Sequence, residues 1–448
     1  MASVGGTASQ GLLAWVAELH SLTDVLQLRS GETAPERHGS CGELTAQEGL
    51  GLLFDEGTFR RIEPPRRRTD GIGPGGPQTA AGVITGCGRV GGRTVFACAH
   101  DLRRCGGSSG RAHAEEIRTL MDLAEAAGAP LVGLSLGVGT RGEQSATTVA
   151  EHGRIFCRSA QASGVIPQIS VVLGAVRPGT DGAVRPPLVA DFVFTAHTAV
   201  CGRAASSRCA RDAECLRQVR RLLTFLPAGG RELPPVAVTV TSTHRANQRL
   251  ADLVPLEGAH PYAIRAVIDE IVDEGGLLEV HGWWAANVVC GLARLDGRVV
   301  GIVANQPAVL DGMLDSPAAR KIARFVRTCD AFSIPLVTLV DAPGLLRGLG
   351  GQKRPGVLPY GAQLLYAYST ATVPRVQLIL RSAHGVSCLV MNSRSIGAGL
   401  SLAWPAKGIG AVDRVIDPIL TRSALVDALA TLRAEDTRRH GHRPLWPI

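Results

Sequence analysis

Aromatic residues are scarce in this 448-residue chain, at 4%, and lysine is nearly absent: of 47 basic residues only Lys321, Lys353 and Lys407 are not arginine. Basic and aromatic residues do not alternate, which removes the pattern expected of a nucleic-acid groove. The eleven cysteines are scattered and form no C-x-x-C pair, so a zinc ribbon is excluded and no metal is expected. They read as reduced thiols. Long apolar runs are missing as well. The stretch 12–16 is too short to span a bilayer and has no basic region ahead of it, so neither a membrane span nor a secretory signal is read there. Residues 10–28 read instead as a surface helix within an N-terminal segment, 1–44, of a soluble, cytoplasmic protein.

Glycine is abundant, at 54 residues, within a composition that is 45% hydrophobic. Gly-, Val-, Ala- and Leu-rich sequence with interleaved strand and helix periods predicts an α/β architecture, and the length predicts at least two domains. The net charge of +8 suits a phosphate-bearing partner, or simply a solvated basic surface.

The chain repeats itself. Residues 81–100 read strand, Gly91-Gly92 turn, strand; residues 286–305 read strand, Asp296-Gly297 turn, strand. Gly92 and Gly297 stand 205 positions apart. A helix follows each hairpin, with stripes Ile117, Leu120, Met121, Ala124 and Ile322, Phe325, Val326, Cys329, again offset by 205. Pro130-Leu-Val and Pro335-Leu-Val then open buried strands at the same offset, and Pro167 and Pro374 open two more at an offset of 207. Upstream, Asp55-Glu-Gly57 and Asp273-Glu-Gly275 differ by 218, which places an insertion in the first copy within the Pro/Gly/Arg-rich stretch 64–77. A spacing kept through turn, helix and strand predicts two homologous α/β domains, 45–228 and 232–448, joined by a linker over 226–235. The groove between two such domains is a common ligand site.

Several stretches carry a family resemblance. Gly297-Arg-Val-Val-Gly-Ile-Val-Ala-Asn-Gln-Pro307, Arg324-Phe-Val-Arg-Thr-Cys-Asp-Ala-Phe332, Asp341-Ala-Pro-Gly344, Gly361-Ala-Gln-Leu-Leu-Tyr-Ala-Tyr368 and Ala371-Thr-Val-Pro374 lie in the second copy. Gly106-Gly-Ser108, Ala112-His-Ala114 and Ser163-Gly-Val-Ile-Pro-Gln-Ile-Ser170 lie in the first, with Val415-Ile-Asp-Pro418, Thr421-Arg422 and His440-Gly441 near the end. Together they resemble the carboxyltransferase (β) subunit of biotin-dependent acyl-CoA carboxylases, of which this is a diverged and shortened member. The resemblance implies two tandem crotonase-type domains, the first taking acyl-CoA and the second the carboxybiotin of a separate carrier protein; a carrier-protein thioester in place of acyl-CoA stays open as the partner of the first. It also implies an enolate intermediate, no covalently bound cofactor, and a homo-oligomer, dimer or hexamer, that works with a biotin carboxylase and carrier subunit.

The same resemblance implies two oxyanion sites built from backbone N–H groups at helix starts, where the helix dipole favours negative charge. The first falls on Asp181, Gly182 and Ala183. There the Asp181 carboxylate repels an enolate, donates a proton if protonated, or caps the next helix. The second falls on Gly385, Val386 and Ser387, beside His384, a candidate acid or base. Val386 is a β-branched residue where the family has glycine, which predicts a strained backbone. Leu389 occupies the position that tunes acyl-chain length. Arg103, Gly106, Gly107, Ser108 and Arg141 are the candidates for coenzyme A contacts. The chain is also short between Asp191 and Leu226 and between Trp404 and Val412, at equivalent points of the two copies.

Three readings stand: carboxyl transfer from carboxybiotin to acyl-CoA; a biotin-independent decarboxylase or other enolate-forming tailoring enzyme; and a non-catalytic scaffold. A fourth pattern, Gly133-Leu-Ser135-Leu-Gly137, spells the nucleophile elbow of a serine hydrolase, which requires Ser135 on a sharp turn between strand and helix.

Overall fold

The computed structural model describes residues 44–62, 83–101, 111–138, 146–176, 190–196, 205–230, 232–240, 247–255, 261–342, 357–383, 385–405 and 412–435. The surface helix expected at 10–28 and the insertion at 64–77 lie outside them.

The first half opens with α1 (Ala46–Leu53), whose N-terminus is closed by a reciprocal box: Thr45 accepts from the Glu48 amide and Glu48 from the Thr45 amide. Then follow β1 (Arg60–Arg61), β2 (Val83–Val90), β3 (Arg93–Asp101), α2 (Arg111–Ala126), β4 (Leu131–Val138), α3 (Ala146–Ala162), β5 (Gln168–Val176), β6 (Phe192–Thr195), β7 (Ser207–Arg208) and α4 (Asp212–Leu223). After α5 (Arg249–Leu253), the second half repeats the order. It comprises α6 (Ile264–Ile271), β8 (Leu278–Glu279), β9 (Val288–Leu295), β10 (Arg298–Asn305), α7 (Ser316–Ala331), β11 (Leu336–Ala342), α8 (Val357–Thr370), β12 (Arg375–Ala383), α9 (Gly385–Val390), β13 (Leu400–Ala403), β14 (Arg414–Val415) and α10 (Thr421–Glu435).

Each half carries a seven-stranded sheet in sequential order. In both, the first three strands pair antiparallel and the rest parallel. This is the tandem crotonase-like architecture that the resemblance implied. The tight hairpins are as expected: Gly91 and Gly92 have φ of 57° and 78°, Asp296 and Gly297 of 53° and 72°, the left-handed pair that a two-residue turn needs. The two apolar stripes face the core, with Ile117, Leu120, Met121 and Ala124 buried on α2 and Ile322, Phe325, Val326 and Cys329 buried on α7. Helix α7 starts where the sequence lets it: Asp315 accepts from the Ala318 amide at 2.9 Å, and Pro317 sits in the first turn, where its missing N–H costs nothing.

A polar clasp is duplicated along with the elements. Asp55 accepts from the turn amides of Gly91 and Gly92 at 3.1 and 2.9 Å, and Arg220 of α4 pairs with it while donating to the Leu53 carbonyl. Asp273 accepts from the turn amides of Asp296 and Gly297 at 3.0 and 2.7 Å, and Arg422 of α10 pairs with it while donating to the Ile271 carbonyl. Each clasp ties the hairpin, the end of the first helix and the last helix of its half to one carboxylate. It explains why both copies begin with Asp-Glu-Gly.

The halves share one continuous apolar core, which runs through Leu226, the first residue of the expected linker. The glycines that follow are tightly placed: a Cβ on Gly230 would overlap the Gly164 carbonyl, so only glycine passes there. Across the seam, the Ala205 carbonyl accepts from His281 Nδ1 at 2.8 Å and from Trp283 Nε1 at 2.9 Å, and Arg208 lies 3.5 Å over the Trp283 ring. Arg324 donates to the carbonyls of Ala190 and Asp191 at 3.2 and 3.1 Å. Among the described residues no helix is long and apolar enough to cross a membrane.

Candidate functional site

Strand β12 ends at Ala383 and α9 begins at Gly385, at the carboxyl end of the parallel part of the sheet. Gly385, Val386 and Ser387 form the first turn of α9. Their amide groups lie among the first four of a helix, which have no intrahelical partner. Right-handed helical backbone is open to a β-branched residue, so the strain expected at Val386 does not arise: the turn takes helix dihedrals, not a glycine conformation.

The rest of α9 is strapped to the sheet below it. Gln377, on β12, donates to the carbonyls of Cys388 and Met391 at 3.3 and 2.9 Å, and its own oxygen accepts from Ser401 at 2.8 Å. The helix stops at Asn392, whose φ of 59° gives the left-handed turn that commonly ends a helix and whose side chain donates to the Val376 carbonyl. Arg375 then holds the following turn through the Gly397 carbonyl at 2.6 Å. A short helix whose last carbonyls are fixed by side chains of the strand beneath it keeps its first amides fixed too. Cys388 has its thiol pushed up by burial and stays protonated, and Leu389 is 41% exposed on the outer face.

Beside the strand-to-helix turn lies a buried polar cluster. Asp341, at the end of β11, accepts from the Tyr262 hydroxyl at 2.7 Å and pairs with Arg381 Nε at 3.2 Å. Its backbone amide donates to Asn305, at the end of β10, whose amide nitrogen donates to the Gly312 carbonyl at 2.9 Å. Arg381 also stacks 5.3 Å above the Tyr262 ring. The Tyr262 hydroxyl is pushed far up by burial and by the Asp341 charge, so it remains a hydrogen-bond donor. Three adjacent strand ends are thus locked together four residues before α9 begins.

The first half carries a different cluster at the matching strand end. His100 Nδ1 and His113 Nε2 are 3.0 Å apart and both rings are buried; Cys98 Sγ lies 3.6 Å from His100 Nε2, its thiol pushed up to about 12 by burial. The pair joins the end of β3 to the first turn of α2. His100 stands where Asn305 stands in the second half, offset by 205.

Asp181, Gly182, Ala183 and His384 lie outside the described residues, as do Arg103, Gly106, Gly107, Ser108 and Arg141. Of the sequence-predicted residues, the structure brings together Gly385, Val386, Ser387 and Leu389 on α9. Sequence reasoning missed Tyr262, Asn305 and Arg381. The serine-hydrolase reading fails: β4 runs unbroken through Ser135, which pairs in register with His100 on one side and Val172 on the other, so no turn presents it as a nucleophile.

A family model, "Carboxyl transferase domain", matches residues 37–200 and 194–413. The propionyl-CoA carboxylase beta chain of Roseobacter denitrificans is 36% identical, covering 91% of this chain and 95% of that protein. That alignment spans 490 positions, more than the 448 residues here, so the relative has segments that this chain lacks. The methylmalonyl-CoA decarboxylase subunit alpha of Veillonella parvula is 34% identical, covering 95% of this chain and 98% of that one. Among solved structures, transcarboxylase 12S, a hexamer with hydrolysed methylmalonyl-coenzyme A bound, superposes with a TM-score of 0.84 at 32% identity, covering 97% of this chain and 98% of the other.

Proposed function

Because the chain belongs to the carboxyl transferase domain family, matched in both of its halves, we propose that it moves a carboxyl group to or from the α-carbon of an acyl-CoA thioester. The first half, 45–228, takes the acyl-CoA, and the second, 232–448, takes biotin carried on a separate protein. Negative charge develops on the thioester oxygen as the enolate forms and on the biotin ureido oxygen as the carboxyl group departs. Fixed backbone donors stabilise such charge without reorganising, and one donor is worth about 10²–10³ in turnover. The observation that carries the reading is the braced first turn of α9 at the carboxyl end of β12, with the Tyr262–Asp341–Arg381 cluster holding the strand ends beside it. Gly385, Val386 and Ser387 are its donors. Biotin supplies the carboxyl-carrying nitrogen; the protein's part is to place and stabilise. A homo-oligomer and a biotin carboxylase and carrier subunit complete the proposed assembly.

The test exploits the position of Val386 in the first helical turn, where proline is tolerated because its missing N–H was unused by the helix. With methylmalonyl-CoA and a biotinylated carrier, Val386→Pro lowers kcat about 10²–10³-fold with KM little changed, by the same donor arithmetic. Unchanged turnover in a folded Val386→Pro protein would remove the site from α9. Decarboxylation is the second reading, favoured by the methylmalonyl-CoA decarboxylase relatives. Release of CO₂ from methylmalonyl-CoA without any biotin would select it.

A further inference from the structure

The duplication offers an internal control for one arginine. Arg93 follows the first hairpin turn and Arg298 the second, 205 positions on. In the first half, Arg93 Nη1 donates to the carbonyls of Leu223 and Leu226 at 2.8 and 2.7 Å, where α4 ends and its last carbonyls have no helical partner. The clasp arginines, Arg220 and Arg422, align the two last helices. That alignment sets Leu223 and Leu226 opposite Leu425 and Ala428. In the second half those positions lie inside α10, which continues to Glu435, so their carbonyls are already spent on helical hydrogen bonds.

Arg298 therefore has nothing to cap, and its guanidinium makes no hydrogen bond or ion pair among the described residues. The extra turns of α10 bring Arg433 beside it, also without a hydrogen bond or ion pair among the described residues. The two line one cleft of about 290 Å³ between the β9–β10 hairpin and α10, with Leu295, Val426 and Leu429 forming the apolar wall and Asp296 on the rim. Among the described residues two guanidinium groups face one carboxylate, which leaves a positive charge in excess there. Burial first, and then the neighbouring Arg298, drives Arg433 down to about 10. The carboxyl end of α10 favours a cation in its last turn and accounts for Arg433 alone. It does not account for a second arginine facing the same apolar cleft.

We propose that this cleft is a binding site for a small amphiphilic anion, whose carboxylate or phosphate bridges Arg298 and Arg433 while its apolar part lies on Leu295, Val426 and Leu429. The cleft, at about 290 Å³, lies just below the roughly 300–1,000 Å³ usual for ligand sites, which limits it to a short-chain acid. It is built from the second hairpin and the last helix, away from the strand-end cluster and α9, and the proposal does not rest on the reaction assigned above.

The test is titration calorimetry of the full chain with sodium hexanoate, hexyl phosphate, inorganic phosphate and hexan-1-ol, against Arg298→Gln and Arg433→Gln. Arg217→Gln, on the exposed face of α4, controls for loss of a charge. Saturable binding of hexanoate or hexyl phosphate, weakened at least tenfold in either cleft variant and unchanged in Arg217→Gln, supports the site; whichever of the two binds more tightly identifies the headgroup. Tighter binding of hexan-1-ol than of hexanoate overturns it. So does binding of inorganic phosphate as tight as that of hexyl phosphate, which would leave the apolar wall without a role, and so does the absence of saturable binding by any probe.

Discussion

The clasp of the first half and the clasp of the second are the same hydrogen bonds at two depths. The Arg220 and Asp55 side chains are 33% and 29% exposed, those of Arg422 and Asp273 1% and 4%. In the first half water competes for both charges, and the carboxyl group of Asp55 is held below its usual range mainly by the Gly92 amide and then by Arg220. In the second half neither charge has water to return to. Identical geometry therefore carries different weight: a half-exposed ion pair contributes about 0–1 kcal/mol, whereas removing one partner of a buried pair costs about 3–5 kcal/mol.

Arg422→Ala should accordingly be the most damaging change, lowering unfolding stability by about 3–5 kcal/mol, while Arg220→Ala costs roughly 1 kcal/mol. Denaturant titration of the two variants measures the difference, and equal losses would show that burial is not what separates the clasps.

Packing offers the next comparison. Phe96 on β3 and Gly301 on β10 are equivalent, offset by 205. In the first half a large Phe96 meets Leu120 and Ala124 within one cluster; in the second, a Cβ on Gly301 would come within 2.6 Å of Cys329 Sγ and 3.2 Å of the Phe325 ring. Volume has moved from strand to helix between the copies. Gly301→Ala should cost about 1–3 kcal/mol through overpacking, and Cys329→Ala, which removes the nearest obstacle and supplies the alanine the first half has at Ala124, should recover much of it in the double variant. Simple additivity of the two losses would break the claim of exchanged volume.

The smallest effect is the pH response of the seam. His281, in the second half, is driven down to about 3 by burial first and then by Arg324. Between that value and the unfolded pKa of about 6.5 the unfolded chain holds more protons, so this group makes stability rise with pH across that window and level off above it. Asp191, in the first half, is pushed up to about 6 by burial, against the opposing pull of the Gln168 amide, Ser163 and Arg324. Between about 3.9 and 6 the native chain holds more protons, and stability from this group falls as pH rises. The two slopes oppose each other between about pH 4 and 6. Asp191→Asn should steepen the rise over that range and His281→Gln should reverse it; parallel profiles for wild type and both variants would show that neither group titrates there.

The same contrast separates what could be read from the chain from what could not. The Asp-Gly and Gly-Gly turns, the i, i+3, i+4 stripes and the Pro-led strands are local signals. Each obeys a period that the backbone imposes on its own neighbours, and their constant offset announced two copies of one fold. Gly385, Val386 and Ser387 were legible because a contiguous motif carries them. The cluster of Tyr262, Asp341 and Arg381 was not: Asp341 lies in a motif of its own, but the three stand 79 and 40 positions apart and share no spacing rule, and the parallel stacking of β11 beside β12 brings Asp341 and Arg381 to one strand end. Ser135 shows the converse, a motif with the right letters in the middle of a strand.

By itself, then, the sequence determined the repeat and the two α/β halves, because these follow from contacts between residues near one another in the chain, while the helix start at Gly385 came from the family resemblance. Tertiary structure alone decided which copy of each duplicated residue is buried, paired or left charged. Asp273 and Asp55, or Arg298 and Arg93, are the same letters in the same local context. The two aspartates differ in how much protein from distant parts of the chain lies over them, and the two arginines in whether the last helix of their half ends beside them; burial then sets what a charge or a hydrogen bond is worth.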